Sequence, residues 1–129
     1  MRPWIWIDER DALAVHDRLL MFHGGAQGVR DAGPLSSALA RPQQLEAYGE
    51  AVGVIELGAA YSAGVIHNPP FVDGNKRTGF LVGILFLELN GARFMASEED
   101  ATQAVLALAA GTLDEAGYAA FLRANAVFE

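Results

Sequence analysis

Apolar positions recur along most of this chain at the three- and four-residue spacing of an amphipathic helix. Near the start, four positions share one face of such a helix, namely Leu13, His16, Leu19 and Leu20. Asp8 is a suitable N-cap. The pattern predicts a first helix that runs to about residue 22 and ends at the His-Gly-Gly of residues 23–25, which suits a left-handed cap.

Two later segments are apolar almost all round, which is typical of helices at the centre of a bundle. They cover residues 52–66 and 75–89. The first contains Gly53, Gly58 and Gly64, which leave room for a neighbouring helix to approach closely. These two segments are therefore predicted to form the buried middle of the fold.

A glycine-rich loop over residues 26–33 separates the first helix from a short second one. Pro34 suits the first turn of this second helix, which is predicted over residues 35–40. The pair Arg41-Pro42 is expected to break it, because proline lacks a backbone donor and clashes with the preceding turn.

The C-terminal third predicts two more helices. Ser97, with an acidic residue three positions on, is expected to cap a helix that runs through residue 109. A last helix is predicted to open at residues 112–115 and to end near residue 127.

Two short stretches have the aromatic and β-branched composition of strands. They cover residues 4–7 and 92–95, and the second could pair with the first as a minor hairpin. The predicted fold class is therefore all-α, a bundle of about six helices in a single domain over residues 1–129.

Composition limits the possible functions. Of the 129 residues, 52% are hydrophobic and 19% charged, so the chain can build a core and is not a disordered segment. It has no cysteine, which excludes disulfides and thiolate zinc sites and favours a reducing cytoplasm. The apolar run at the start is too short for a signal peptide, and no apolar window reaches the ~18 residues of a membrane helix. The net charge of −7 argues against direct binding to nucleic acid, and it either aids solubility or favours a basic partner.

The loop between the two buried helices carries the most informative chemistry. The helix that begins at Asn75 offers unpaired N–H groups and a positive dipole end, so it attracts anions. Gly74 lets a ligand approach the backbone, and Lys76 and Arg77 add positive charge. Asp73 could hold Mg²⁺ against bound phosphates, since hard cations prefer carboxylate oxygen.

A plainer interpretation treats these residues singly. Asp73 and Asn75 would then be ordinary helix caps, and Lys76 and Arg77 would be solvated charges. Such a cluster of acidic, basic and amide residues between two nearly all-apolar helices is harder to explain as ordinary solvent-exposed residues. Phe71, just before the cluster, is expected to point into the core and to anchor the loop. The sequence therefore indicates a phosphate site.

This segment resembles the signature of Fic-fold proteins, His-Pro-Phe-x-(Asp/Glu)-Gly-Asn-(Gly/Lys)-Arg. The chain matches it without a gap from Pro70 to Arg77, and Lys76 is similar to the death-on-curing branch of that family. Further agreement with that branch covers nearly the whole length, at residues 7, 16–17, 23–25, 28–31, 35, 38–43, 48 and 106–111.

The resemblance implies roles for the matching residues. Asp73 would bind Mg²⁺, and Arg77 would contact the phosphates of ATP. Gly74, Asn75 and Lys76 would form the anion-binding nest, and Lys76 and Arg77 would also take part in the chemistry.

The resemblance also implies a target and a partner. Val29, Arg30 and Asp31 are similar to the flap that aligns the target segment. Phe80 stands where many AMP-transferring members have a second arginine, so the resemblance favours the branch that phosphorylates elongation factor Tu and stops translation. The implied partner is a prevent-host-death-like antitoxin, whose partly disordered tail folds as a helix in a groove.

One position departs from the signature. Pro69 stands where the family has the histidine that acts as general base on the target hydroxyl, and proline cannot accept a proton. Three interpretations are open: an inactivating substitution in a toxin, which we favour, a naturally inactive homologue, or replacement of the base by His67. The last is disfavoured because two residues of extended loop displace a side chain by ~7 Å, and the two prolines restrict the loop.

The other histidines have simpler interpretations. His16 lies on the apolar face of the first helix and is predicted to be a hydrogen-bonded core residue. His23 is at a helix C-terminus, where the dipole favours it. The spacing of the three histidines is not that of a zinc site.

Two classes of function stay open at this point. One is an enzyme scaffold, a phosphate-transferring or AMP-transferring toxin that is catalytically inactive with Pro69 in its sequence. The other is a module that binds its antitoxin without catalysis. A purely structural helical protein is a third class, and it would leave the 73–77 cluster unexplained.

Overall fold

The computed structural model describes residues 4–49 and 52–129, and within them six helices and two short strands. In chain order these are α1 Glu9–His23, α2 Ala32–Tyr48, α3 Val54–His67, α4 Asn75–Leu89, β1 Ala92–Phe94, α5 Glu98–Ala110, α6 Glu115–Ala124 and β2 Ala126–Phe128. The predicted all-α class is confirmed, and the minor β structure is a two-stranded antiparallel sheet. None of the helices in this part of the chain combines the length and apolar character needed to cross a bilayer.

Helix α3 is the centre of the bundle, as its all-round apolar sequence predicted. Ten of its 14 residues are buried, and α2, α4 and α6 pack around it. Gly64 lies against Ala38 of α2, where an added Cβ would come within 3.2 Å of the Ala38 Cα. Gly58 lies against Leu87 of α4, where an added Cβ would come within 2.7 Å of a Leu87 methyl group. Gly53, the remaining glycine of this predicted segment, precedes the helix and is the N-cap of α3.

The helix starts follow the predicted capping residues. Asp8 and Asp11 form a reciprocal capping box at the start of α1. The Ser97 hydroxyl accepts from the Asp100 N–H at 3.1 Å at the start of α5. At the end of α1, Gly24 has the expected positive φ of 73°, but its ψ of −176° places it outside the left-handed helical region.

The prediction that α2 ends at Arg41-Pro42 is wrong, because the helix starts at Ala32 and continues through Pro42 to Tyr48. Proline removes one intrahelical donor, but the Pro42 ring is buried with the apolar face of α2. Arg41 also ties this stretch down, since it donates to the Ala60 carbonyl of α3 at 3.4 Å and pairs with Glu115 of α6 at 2.8 Å.

Residues 4–7 do not form the predicted strand. The Asn90 side chain takes the place of a neighbouring strand, accepting from the Ile5 N–H at 2.8 Å and donating to the Ile5 carbonyl at 3.0 Å. The Ile7 N–H donates to the Tyr61 hydroxyl at 2.9 Å. Burial raises the pKa of Tyr61 to about 12, so its hydroxyl stays neutral beside this backbone.

The strand partner of β1 comes from the C-terminus instead. β1 pairs antiparallel with β2, with Ala92 opposite Phe128 and Phe94 opposite Ala126. The prediction that α6 runs to about residue 127 is therefore wrong, since it ends at Ala124. A three-residue strand of Ala, Val and Phe satisfies the same apolar pattern as a last helical turn, and only the neighbouring β1 decides between them.

Candidate functional site

The loop that joins α3 to α4, residues 68–74, is called the motif loop below, and Phe71 anchors it. The Phe71 ring is buried, with 1% of its surface exposed. Asn75, the first residue of α4, clamps the Phe71 backbone at both ends, accepting from its N–H at 2.9 Å and donating to its carbonyl at 3.0 Å. The Asn75 side chain therefore holds the motif loop, and its backbone N–H lies in the open first turn of α4.

The motif loop ends in an open helix N-terminus. Gly74 has φ 78° and ψ 20°, a left-handed conformation that favours glycine. The first bond of the α4 ladder runs from the Thr78 N–H to the Gly74 carbonyl at 3.0 Å, and no side chain caps the helix. The amides of Asn75, Lys76 and Arg77 precede that first bond, which is the arrangement in which helices bind anions.

Charged side chains of the cluster line one wall of a groove of about 950 Å³. Asp73, Lys76 and Arg77 all line it, and all three are exposed. Within residues 4–49 and 52–129, neither Lys76 nor Arg77 forms an ion pair. Two cations beside unpaired helix amides make this end of the groove suited to a phosphate-bearing ligand.

The segment between α1 and α2, residues 24–31, is called the flap, and it lies against the motif loop. Val29 forms a β-bridge with Phe71, and the Val72 N–H donates to the Gly28 carbonyl at 3.0 Å. Arg30 donates through its backbone N–H to the Pro70 carbonyl at 2.7 Å.

The polar side chains of the flap are occupied by local contacts. The Arg30 guanidinium donates to the Pro69 carbonyl at 2.7 Å. Asp31 caps α2 by accepting from the Gly33 N–H at 3.1 Å. Of the three flap residues singled out in the sequence, Val29 is left with an exposed side chain, 39% accessible, that is free of polar contacts.

Asp73 joins the flap to the start of α4. One of its carboxylate oxygens accepts from the Gly74 N–H at 2.8 Å, and the other accepts from the Ala26 N–H of the flap at 3.3 Å. A carboxylate has about four lone-pair positions, so two bonds leave capacity for a cation.

A profile of the Fic/DOC family matches residues 6–87, a stretch that runs from the start of α1 through the flap and motif loop into α4. The chain belongs to the Fic/DOC family. It is 32% identical over 93 residues to "Protein kinase doc" of Escherichia phage P1, an alignment that covers 72% of this chain and 74% of that protein. It is 34% identical over 95 residues to "Toxin Doc" of Mycolicibacterium smegmatis, covering 70% of this chain and 68% of the other.

In this Fic/DOC chain, Pro69 lines the same groove as Asp73, Lys76 and Arg77 and is half-buried. His67 is directed elsewhere, since its Nε2 lies 2.9 Å from the Leu108 carbonyl of α5. The interpretation that His67 replaces the missing base therefore has no support in the geometry.

The residues of this Fic/DOC site fit Mg²⁺ held together with a nucleotide. Nowhere in the described part of the chain do three or more His, Cys, Asp or Glu side chains gather into a possible metal cage. Asp73 could supply one oxygen ligand, and phosphate oxygens and water could supply the rest, as is usual for Mg²⁺ at phosphate sites.

The rest of the Fic/DOC groove is mostly apolar, although Ser97, Glu98 and Thr102 also line it. Its walls come from α4, α5 and β1 and include Phe80, Ile84, Phe94, Val105 and Leu106. Phe80 packs edge-on against Phe94, with ring centroids 5.7 Å apart, so this position contributes hydrophobic surface and no charge.

Sequence reasoning missed two contributions to the Fic/DOC site. The sequence explains His23 only through the α1 dipole, but the residue also lines the groove. The prediction that His16 is a hydrogen-bonded core residue is confirmed, but the sequence did not indicate that its partner, at 2.8 Å from Nε2, is the Asp73 carbonyl. The presence of both residues in the resemblance to the death-on-curing branch was the available signal, but their position beside residue 73 depends on tertiary packing.

Proposed function

We propose that this chain is the toxin of a toxin–antitoxin pair, built on a scaffold that transfers phosphate from ATP to a protein hydroxyl, and that Pro69 leaves it catalytically silent. The observation that carries the proposal is the open α4 N-terminus, where unpaired amides, Lys76 and Arg77 lie in one groove with residue 69. The names of the two relatives, a protein kinase and a toxin, support it.

Each residue has a role in this proposal. The first-turn amides of α4, with Lys76 and Arg77, hold the phosphates and stabilise the negative charge of the transferring group. Asp73 would hold Mg²⁺, which would neutralise part of the phosphate charge. Val29 and its neighbours in the flap face the segment of the target that carries the hydroxyl.

The transfer itself requires a base. The target oxygen forms a bond to the γ-phosphorus, the bond from that phosphorus to the bridging oxygen of ADP breaks, and the hydroxyl proton passes to a general base. Pro69 has nothing to accept this proton, and the His67 ring is held against α5. The chain would therefore bind ATP and the target protein but would have no group that accepts the hydroxyl proton.

Phosphate transfer is favoured over AMP transfer because Phe80 stands where many AMP-transferring members of the family have a second arginine. We propose elongation factor Tu as the protein target, on the resemblance to the death-on-curing branch. We propose an antitoxin tail that folds as a helix as the partner for the apolar part of the groove.

A second candidate function is a binding module that engages the antitoxin without catalysis. The observation that favours it is the apolar wall of the groove, which does not depend on residue 69. The two candidates differ in one expectation: only the enzyme scaffold becomes active when the base is restored.

Arg77→Ala is expected to weaken ATP binding by about 10- to 100-fold, the usual loss for a hydrogen bond to a charged group. The loss should appear both with and without Mg²⁺, because Arg77 would contact phosphate directly. Calorimetric titration of ATP measures it. Arg93→Ala is the matched control, since Arg93 is an exposed arginine on β1 that does not line this groove. Equal affinity in the Arg77 variant and the parent would remove Arg77 from the phosphate site.

Asp73→Ala is expected to abolish most of the difference between ATP titrations with and without Mg²⁺, since Asp73 would supply the only protein ligand. Asp73→Asn is the matched variant, because its amide oxygen can still accept from the Gly74 N–H while the charge is gone. Both variants should lose the Mg²⁺ dependence. If Asn behaves like the parent and only Ala weakens binding, Asp73 stabilises the loop and does not hold the metal.

A further inference from the structure

His16 is a buried polar residue of α1 with 2% of its surface exposed. Its Nε2 lies 2.8 Å from the Asp73 backbone carbonyl, 57 positions away in the chain. Because a carbonyl oxygen can only accept, Nε2 carries the proton of this bond. The bond therefore runs from the middle of α1 to the residue that precedes the anion nest.

The His16 ring also contacts the motif loop at two other points. It stacks on the Phe71 ring with centroids 3.9 Å apart and an angle of 8° between the planes. It lies next to Gly74, where an added Cβ would be 3.7 Å from both Cδ2 and Nε2 of His16. His16 thus touches the loop at its anchor, at the proposed metal ligand and at the left-handed glycine.

The direction of the Asp73 carbonyl has consequences for the nest. The carbonyl belongs to the peptide group whose N–H is that of Gly74, and this N–H donates back to the Asp73 carboxylate at 2.8 Å. Because the peptide group is planar, a donor that holds the carbonyl also orients the Gly74 N–H, from which the Asp73 carboxylate accepts. An apolar side chain of the same size would fill the space and leave the carbonyl unpaired.

We propose that His16 is a positioning residue of the phosphate site, which holds the peptide group between Asp73 and Gly74 so that the α4 amides and the Asp73 carboxylate face the groove. The expectation that this site binds a nucleotide rests on the proposed function, whereas the effect of His16 on the motif loop does not depend on that function. Hydrogen exchange and nucleotide titration can therefore test the two separately.

The test compares His16→Leu, which fills the space without a donor, with His16→Gln, whose amide nitrogen can reach the position of Nε2. The first readout is hydrogen exchange of the Thr78 amide, which donates to the Gly74 carbonyl. The Tyr118 amide on α6, which donates to the Asp114 carbonyl, serves as the distant reference. The second readout is calorimetric titration of ATP with Mg²⁺.

His16→Leu is expected to speed exchange at Thr78 by about tenfold relative to Tyr118, as a local opening does, and to weaken ATP binding by a similar factor of about tenfold. His16→Gln is expected to stay within about threefold of the parent in both readouts, because it keeps the donor. If His16→Leu does not fold, His16→Asn replaces it, since the shorter amide does not reach the Asp73 carbonyl.

Two outcomes would overturn the inference. Equal acceleration at Thr78 and Tyr118 would mean that His16 contributes only to global stability, and unchanged exchange at Thr78 would mean that the bond does not hold the loop. If the parent chain itself does not bind ATP, the proposed function fails. The ratio of the exchange rates at Thr78 and Tyr118 then tests the positioning role of His16 by itself. A raised ratio in His16→Leu that returns to the parent value in His16→Gln supports the inference.

Discussion

Pro69→His is expected to turn a chain that leaves bacterial growth unchanged into one that arrests it when expressed without an antitoxin. A positioned general base typically contributes about 10²- to 10⁴-fold to a rate. The groups proposed to bind phosphate and metal, namely the first-turn residues of α4 with Lys76 and Arg77, and Asp73, already lie along the same groove as residue 69.

The backbone around residue 69 is compatible with the change. The contact that the flap makes there is the bond from Arg30 to the Pro69 carbonyl, and a histidine keeps that carbonyl. Pro70 restricts the preceding residue to an extended conformation whatever its side chain, so the loop path should be preserved.

Two controls separate the base from other effects of removing a proline. Pro69→Ala frees the backbone without adding a base and should remain harmless. Pro69→His combined with Arg77→Ala should also be harmless, because the base would act on a target whose phosphate donor is poorly held. Phosphate transfer from labelled ATP to purified elongation factor Tu measures the same contrast in solution.

The outcomes assign the function. Arrest by Pro69→His alone supports the enzyme scaffold. Absence of arrest by every variant would favour the binding module and place a defect beyond residue 69. Arrest by the chain as written would contradict the role assigned to the missing base.

Gly83→Ala is expected to lower the free energy of unfolding by about 2 to 3 kcal/mol, toward the upper end of the cost of overpacking, despite the gain of about 1 kcal/mol in helix propensity. A Cβ at Gly83 of α4 would lie 2.2 Å from the Ser62 hydroxyl and 2.8 Å from the Gly58 carbonyl of α3. The second contact is with backbone, so α3 and α4 must separate.

A chain of this size should then lose roughly 10 °C of melting temperature, which calorimetry or circular dichroism measures. Gly33→Ala is the matched control, because its Cβ would meet nothing closer than the Asp31 carboxylate at 3.5 Å. It should leave stability unchanged or raise it by up to about 1 kcal/mol, because the gain in helix propensity is not opposed by a clash. Equal effects of the two substitutions would show that close approach of α3 and α4 does not limit stability.

Much of the fold could be predicted from local signals. Asp8 and Ser97 stand where their helices begin, and α4 covers the predicted residues 75–89. The wrong predictions have a common cause. Pro42 in α2, the strand at residues 126–128 and the extended segment at residues 4–7 each have local patterns that a distant partner overrides.

The candidate site also has one part that the sequence predicts and another part that depends on distant contacts. The sequence indicated which residues cluster at the α4 N-terminus, because adjacency in the chain guarantees adjacency in a loop. It did not indicate that the Asn75 amide is consumed by Phe71 or that the Arg30 guanidinium lies on the Pro69 carbonyl. Those contacts depend on how the motif loop and flap pack together.

By itself, the sequence determined the helical class, the buried pair of central helices, the family resemblance and the absence of a base at residue 69. These follow from periodicity, capping residues and the chemistry of single side chains, all of which are local properties. Only the tertiary structure decided that His16 supports the Asp73 carbonyl and that His67 is turned to α5. Both contacts join residues more than 40 positions apart, and their geometry exists only once the α3–α4 pair has brought the surrounding helices together.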